Sequence, residues 1–347
     1  MNIIIFLLLY IQFFAIYILQ TDVPVVTVLI TALIFINIYR SICFTYDRVD
    51  KLIFIYMLCL CLGFINRAFI ICANIIGYVI YMRHNNKISV RNIAGYCIIL
   101  NAIFILACTF MIATDPTLIR VWGYKFDREI VLYAFHNPNS KALFLFLCSL
   151  SLWLFIRNKI FRIGILVVMT FLIYWLTYGR TFTFANIGLL LADFYNKKSR
   201  MKYFSFFLVL TPIIVSIFSF VIAIIARNVT IIIYDEGIHG RFWVYGHLLG
   251  NMSFFNILFG INEEITVPLD GSFFAIFATM GIFMFMYLLI IYCKAIININ
   301  KNIIKYIPAI IAIILAGITE SALALFSINT VFLVMLLVIS GKERETT

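Results

Sequence analysis

The residues able to do chemistry here fall in five short stretches, each at the edge of a long apolar run. GIHGRFWVYGH carries His239, Arg241, Trp243 and His247. TYGRTF carries Tyr178 and Arg180, and FHNPNSK carries His136 and Asn139. VPLDGSFF carries Asp270, and GITES carries Glu320. Arginine binds phosphate through two parallel N–H···O bonds, a geometry that a lysine ammonium lacks. A carboxylate or imidazole within reach of a hydroxyl can remove its proton. These residue types therefore suit a phosphorylated ligand and a proton transfer.

Each residue also has a plain structural use, and both readings stand at this level. Asp270, Glu320, Asn137 and Asn139 can cap helices. Arg180 can snorkel to a membrane surface. Trp243 can anchor at one, and His239 and His247 suit an ordinary loop. Gly237 and Gly240 flank His239 and permit close backbone approach, and Gly179 loosens the turn before Arg180 so that its side chain can point into a cavity.

A membrane-spanning scaffold must position these residues. The 347 residues are 65% hydrophobic and 12% charged, with a mean hydropathy of +1.10. A soluble fold of this size cannot bury that much apolar surface. Apolar runs recur at close to the roughly 20 residues that a membrane helix needs. They predict an all-α, polytopic integral membrane protein, a single membrane domain over 1–347 with about twelve transmembrane helices. The expected spans are 2–19, 24–41, 51–65, 68–82, 93–113, 137–156, 163–178, 182–195, 203–226, 272–293, 303–317 and 321–340. The first run lacks a basic region and a cleavage site and reads as a retained helix. Two larger outer loops, 114–136 and 227–271, place function on the face they share. The eight cysteines lie in or beside apolar runs without zinc spacing. No metal and no cofactor is expected.

The net charge of +11 resides in short loops, so it reports topology and not nucleic-acid binding. With both termini cytoplasmic, 18 of the 26 Lys and Arg fall inside and 8 outside. That asymmetry is what the positive-inside rule requires. Inside there are ten Lys and eight Arg, and outside six Arg and two Lys. Topology alone asks for no arginine outside, so the excess points to an anionic ligand there. Residues 51–82 read as a hairpin turning at Asn66–Arg67, each arm shorter than a full span, with one long tilted helix as the alternative.

In this order the stretches resemble the superfamily of Wzy-type O-antigen polymerases and O-antigen ligases. The likeness covers roughly 130–340. His136-Asn137-Pro138-Asn139 precedes a middle helix, and Gly179-Arg180-Thr181 forms a turn between short helices. Arg241 and Trp243 follow the large loop, and Asp270, Ser272 and Phe273 precede Gly281. Thr319-Glu320-Ser321 leads to Asn329 in the last helix. Ligases carry His where Asp270 stands, which favours a polymerase. The His-Asn-Pro-Asn element is one residue longer than the family's, and the first third matches no motif.

The resemblance implies a GT-C-like membrane fold and a glycosyltransferase of the bacterial cytoplasmic (inner) membrane. It implies joining of undecaprenyl-diphosphate-linked oligosaccharide repeat units into O-antigen or capsule-type polysaccharide at the outer leaflet. Asp270, His239, Arg241 and Arg180 are then catalytic, the arginines holding the lipid diphosphate. His136, Asn139, Tyr178, Trp243, His247 and Glu320 are then substrate-binding. The implied partners are the lipid-linked oligosaccharide, membrane lipids and a chain-length regulator, without nucleic acid. The alternatives are an O-antigen ligase, or a transporter or flippase of the same lipid-linked sugar. A transporter should show internal repeats and polar groups at the bilayer centre, whereas the polar groups here gather at the outer boundary.

Overall fold

The structure, a computed structural model, describes residues 2–17, 24–44, 51–66, 68–84, 90–125, 128–133, 135, 137–195, 198–228, 241–261, 271–297 and 304–320. Among these the chain is helical apart from one small hairpin. Helices α1 (Asn2–Tyr17), α2 (Pro24–Phe44), α3 (Lys51–Leu62), α4 (Ala68–His84) and α5 (Val90–Thr114) lead to β1 (Val121–Lys125) and β2 (Arg128–Val131). There follow α6 (Pro138–Phe155), α7 (Lys159–Thr177), α8 (Arg180–Phe194) and α9 (Lys198–Asn228). The last are α10 (Arg241–Asn251), α11 (Phe254–Phe259), α12 (Ser272–Ile297) and α13 (Ile307–Thr319).

Among the described residues, five helices are long and apolar enough to cross a membrane: Val90–Thr114, Pro138–Phe155, Lys159–Thr177, Phe206–Ala226 and Ser272–Lys294. Pro24–Tyr39, Ile53–Leu62, Ala68–Tyr78 and Ile307–Ile318 are apolar but shorter. The expected turn within 51–82 is present, over Gly63–Asn66, with Asn66 N–H on Leu62 O at 3.0 Å. The 12 residues of α3 rise about 18 Å, short of the roughly 30 Å hydrocarbon core. The expected span 321–340 lies outside the described residues.

Both long loops hold more structure than their sequence suggests. In 114–136, Asp115 caps the turn Pro116–Leu118, and β1 pairs antiparallel with β2. The 227–271 segment contains α10 and α11. In α10, Tyr245 is buried and Leu248 and Leu249 are half-buried, while His247 and Gly250 are exposed. That is an apolar stripe at helical spacing inside a segment whose charges disguise it. Ser253 starts α11 by accepting from Asn256 N–H at 3.1 Å.

The chain divides into two compact units. Unit 1 is Met1–Ile30, Asn85–Asn196 and Tyr306–Ala312, and unit 2 is Thr31–His84, Lys197–Lys305 and Ile313–Thr347. In unit 1, polar side chains join α6, α7 and α8. Ser149 donates to Asn186 Oδ1 at 2.5 Å, and Asn186 Nδ2 donates to Thr170 Oγ1 at 2.8 Å and Leu166 O at 3.2 Å. In lipid, such bonds pair helices that apolar surface alone cannot sort. Phe14, Phe104, Phe135 and Phe144 form an aromatic cluster in the same unit.

Unit 2 contains a broken helix. Gly281 has φ 75° and ψ 173°, which interrupts α12, and Gly260 faces it with φ 83°. A Cβ on Gly281 would lie 2.1 Å from Leu258 O, and one on Gly260 2.2 Å from Thr279 O. Both sites therefore require glycine, for the backbone angle and for the contact. Carbonyls freed by the break find donors, as buried backbone must. Ile261 N–H reaches Ala278 O at 2.8 Å. Asn66 Nδ2 donates to Thr279 O at 2.6 Å and Ile261 O at 3.1 Å. The tip of the α3–α4 hairpin is thus bound into the break.

Candidate functional site

In unit 1, the site begins with a two-residue link between α7 and α8. Tyr178 closes α7 in the left-handed region, φ 50° and ψ 22°, with its N–H on Tyr174 O. Gly179 follows because a Cβ there would lie 2.8 Å from Ala142 Cβ of α6. Gly179 N–H donates to Thr177 Oγ1 at 2.9 Å. Arg180 is then the first residue of α8. Its side chain is exposed and makes no ion pair or hydrogen bond with the described residues. A helix N-terminus is the positive end of the helix dipole, where an anion is stabilised and a cation is not. A guanidinium in that position deepens the positive potential and offers a fork for an oxyanion.

The start of α6 packs against this link. Asn137 is the cap, its Oδ1 accepting from Ser140 N–H at 2.7 Å. The cap expected at Asn137 or Asn139 is therefore Asn137, and Asn139 stands exposed in the first turn. One turn on, Lys141 is only 5% exposed. Its Nζ donates to Val131 O at 2.9 Å and to Leu176 O at 3.2 Å, and lies 4.6 Å from the Tyr133 ring centroid. Sequence reasoning counted Lys141 only as an outer charge. Its signal was position: a lysine one turn into an apolar helix must find acceptors or snorkel.

In unit 2, three of the chemistry-bearing stretches meet. Helix α10 begins at Arg241, with Trp243 in its first turn. Tyr245, one turn along, stacks on Phe274 of α12 at 4.2 Å and 24°. Its hydroxyl reaches the start of α12, where a Cβ on Gly271, φ 90°, would lie 2.6 Å from it. Ser272 donates to Glu320 O at 2.7 Å. Glu320 was expected to open the last span. Its N–H lies on Ala316 O at 3.3 Å, so the described part of Glu320 closes α13. His247 is exposed, with Nε2 3.1 Å from Asn251 Nδ2 one turn later. His136, His239 and Asp270 lie outside the described residues. Tyr245 was missed because a buried tyrosine in an aromatic-rich helix has no distinctive spacing.

The candidate residues thus form two groups, each within its own unit. Tyr178, Arg180 and Asn139 gather around α6 in unit 1. The stretches of Arg241, Ser272 and Glu320 gather around Tyr245 in unit 2. Among the described residues, no three His, Cys, Asp or Glu side chains come together as a metal site would need. Beyond α5, the Asp115 carboxyl is held below the ordinary carboxylate range, first by the Thr117 hydroxyl and then by its N–H. No family model, no curated protein and no solved structure matches the chain.

Proposed function

We propose that this chain is a polymerase of lipid-linked oligosaccharides, acting at the outer face of a bacterial cytoplasmic membrane. In this reading it crosses the membrane about twelve times with both termini cytoplasmic. The donor is a growing chain on undecaprenyl diphosphate, and the acceptor is an incoming repeat unit on the same carrier. An acceptor hydroxyl oxygen attacks the anomeric carbon of the donor sugar. The bond from that carbon to the diphosphate oxygen breaks, and the lipid diphosphate leaves with the electron pair. Asp270 or His239 takes the hydroxyl proton. Arg180 in unit 1 and Arg241 in unit 2 are the arginines assigned to phosphate charge, each within its own group. His136, Asn139, Tyr178, Trp243, His247 and Glu320 are the residues assigned to the sugars.

The observation that carries this reading is a shared one. Arg180 and Arg241 each follow a glycine, Arg180 opening α8 and Arg241 being the first described residue of α10. A helix N-terminus bearing, as α8 does, the cation that its own dipole disfavours suits a polyanionic substrate better than a neutral one. A polymerase needs such groups because its leaving group is a diphosphate.

The test is the protein in proteoliposomes with lipid-diphosphate-linked repeat units from the producing cells. The expected product is a ladder of glycans of rising length on gels. Asp270→Asn should give single repeats only if Asp270 is the base, and Arg241→Lys should slow elongation about a hundredfold. Absence of any new glycosidic bond with the wild-type chain would remove the reading. The broken helix at Gly281 favours transport as a second reading, since interrupted membrane helices build substrate sites in transporters. Movement of intact lipid-linked repeats across the bilayer, without elongation, is the outcome that would select it.

A further inference from the structure

Among the described residues, two that are not glycine have positive φ, and both are tyrosines: Tyr133 at 47° and Tyr178 at 50°. Side chains disfavour that region, and such residues persist only where surroundings hold them. The same ammonium holds both. Lys141 Nζ donates to Val131 O, two residues before Tyr133, and to Leu176 O, two residues before Tyr178. It also lies against the ring of Tyr133, a residue that is 43% exposed. One buried cation therefore ties together the end of the β-hairpin, the link that precedes Arg180, and an exposed aromatic ring.

The geometry points to Lys141 as the positioning residue of the unit 1 site. It holds the Tyr133 and Tyr178 turns in their left-handed form and so fixes where Arg180 begins α8. The Tyr133 ring is presented as a platform for a pyranose face, an assignment that rests on the glycan reading above. Two independent segments, 128–133 and 176–180, share one anchor. An uncharged side chain at 141 frees both carbonyls at once, so the two turns must loosen together.

The test compares the full-length wild type with Lys141→Met in nanodiscs, by amide hydrogen exchange. The expected result is about tenfold faster exchange in peptides covering both turns, with α10 and α12 unchanged. Loosening of one turn alone, or of neither, overturns the shared anchor. If Lys141→Met does not accumulate, Lys141→Gln is measured instead. Glutamine is too short to serve both carbonyls, and full protection in both turns of that variant overturns the assignment equally.

The second arm separates the anchor from the glycan reading. With lipid-linked repeat units, Lys141→Met and Tyr133→Ala should each raise the apparent KM about tenfold, with less change in kcat. Wild-type kinetics in both variants, beside a wild type that polymerises, removes the site role. A wild type that makes no polymer while both turns still loosen in Lys141→Met removes the glycan reading and leaves the anchor standing.

Discussion

At the α6–α7 turn, the Arg162 guanidinium grips Asp193 with two bonds, Nε to Oδ2 at 3.0 Å and Nη2 to Oδ1 at 2.7 Å. Arg91 donates to Phe155 O at 3.1 Å, the last residue of α6, and Lys159 to Phe194 O at 3.3 Å, the last of α8. At this end, cations in the first turns of α5 and α7 reach the C-termini of α6 and α8, where the neighbouring dipole favours them. At the opposite end of the same three helices, Arg180 sits at a helix N-terminus with no partner among the described residues. Two left-handed tyrosines stand beside it. Arg91, Lys159 and Arg162 find acceptors at the first end and Lys141 does at the other, whereas Arg180 has none among the described residues. Within one bundle, that difference, more than charge alone, decides where a substitution should cost stability and where only the proposed activity.

The comparison breaks first at the paired end. Asp193 is 1% exposed, so Asp193→Leu strands a largely buried guanidinium and should cost about 3–5 kcal/mol. Thermal unfolding in detergent should show it. Arg162→Met combined with Asp193→Leu should recover most of that loss, and no recovery would mean that the pair is not a coupled unit.

At the other end the expectation reverses. Arg180→Lys should leave stability within about 0.5 kcal/mol while, in the proposed reading, elongation falls about a hundredfold, near 3 kcal/mol of barrier. Equal loss of folding and activity would place Arg180 in the same class as Arg162.

A smaller effect tests the fit of the link. Gly179→Ala adds a methyl against Ala142 Cβ and should cost about 1–3 kcal/mol. Ala142→Gly in the same chain should restore part of it, which a purely conformational glycine would not permit.

The smallest effect concerns Asp115, whose carboxyl is lowered by the Thr117 hydroxyl and N–H. Its contribution to the Pro116–Leu118 turn is full above the ordinary carboxylate pKa, near about 3.9. It is lost as pH falls toward the lowered folded value. Amide exchange at Thr117 should rise only in that acidic window, and Asp115→Asn should abolish the pH dependence.

Much of the scaffold is legible in the sequence. Long apolar runs can satisfy their backbone in lipid only as helices, which identified α5, α6, α7, α9 and α12. Gly179 between two apolar segments marked the α7–α8 link. The half-length of the 51–65 run marked a turn at Asn66. The polar function of Asn66 was not legible, because its acceptors, Ile261 O and Thr279 O, lie about two hundred residues away. Nor was the break at Gly281, since one glycine in an apolar run is ordinary until Leu258 approaches it. Helix α10 was hidden because its short stripe sits among residues that read as loop.

The sequence by itself determined that this chain is helical, apolar enough for a membrane, and supplied with arginines following glycines at the edges of apolar runs. Those properties are local: hydropathy, period and turn chemistry act over a few residues. Tertiary structure decided which cations are consumed and which are exposed. Lys141 and Arg162 look alike in sequence to Arg180, each a basic residue near the end of an apolar run. Lys141 is held by two carbonyls and Arg162 by a carboxylate, both from other segments. Arg180 has neither. A charge in an apolar bundle must be neutralised, hydrogen-bonded or exposed, and the choice among the three depends on partners that only the fold brings near.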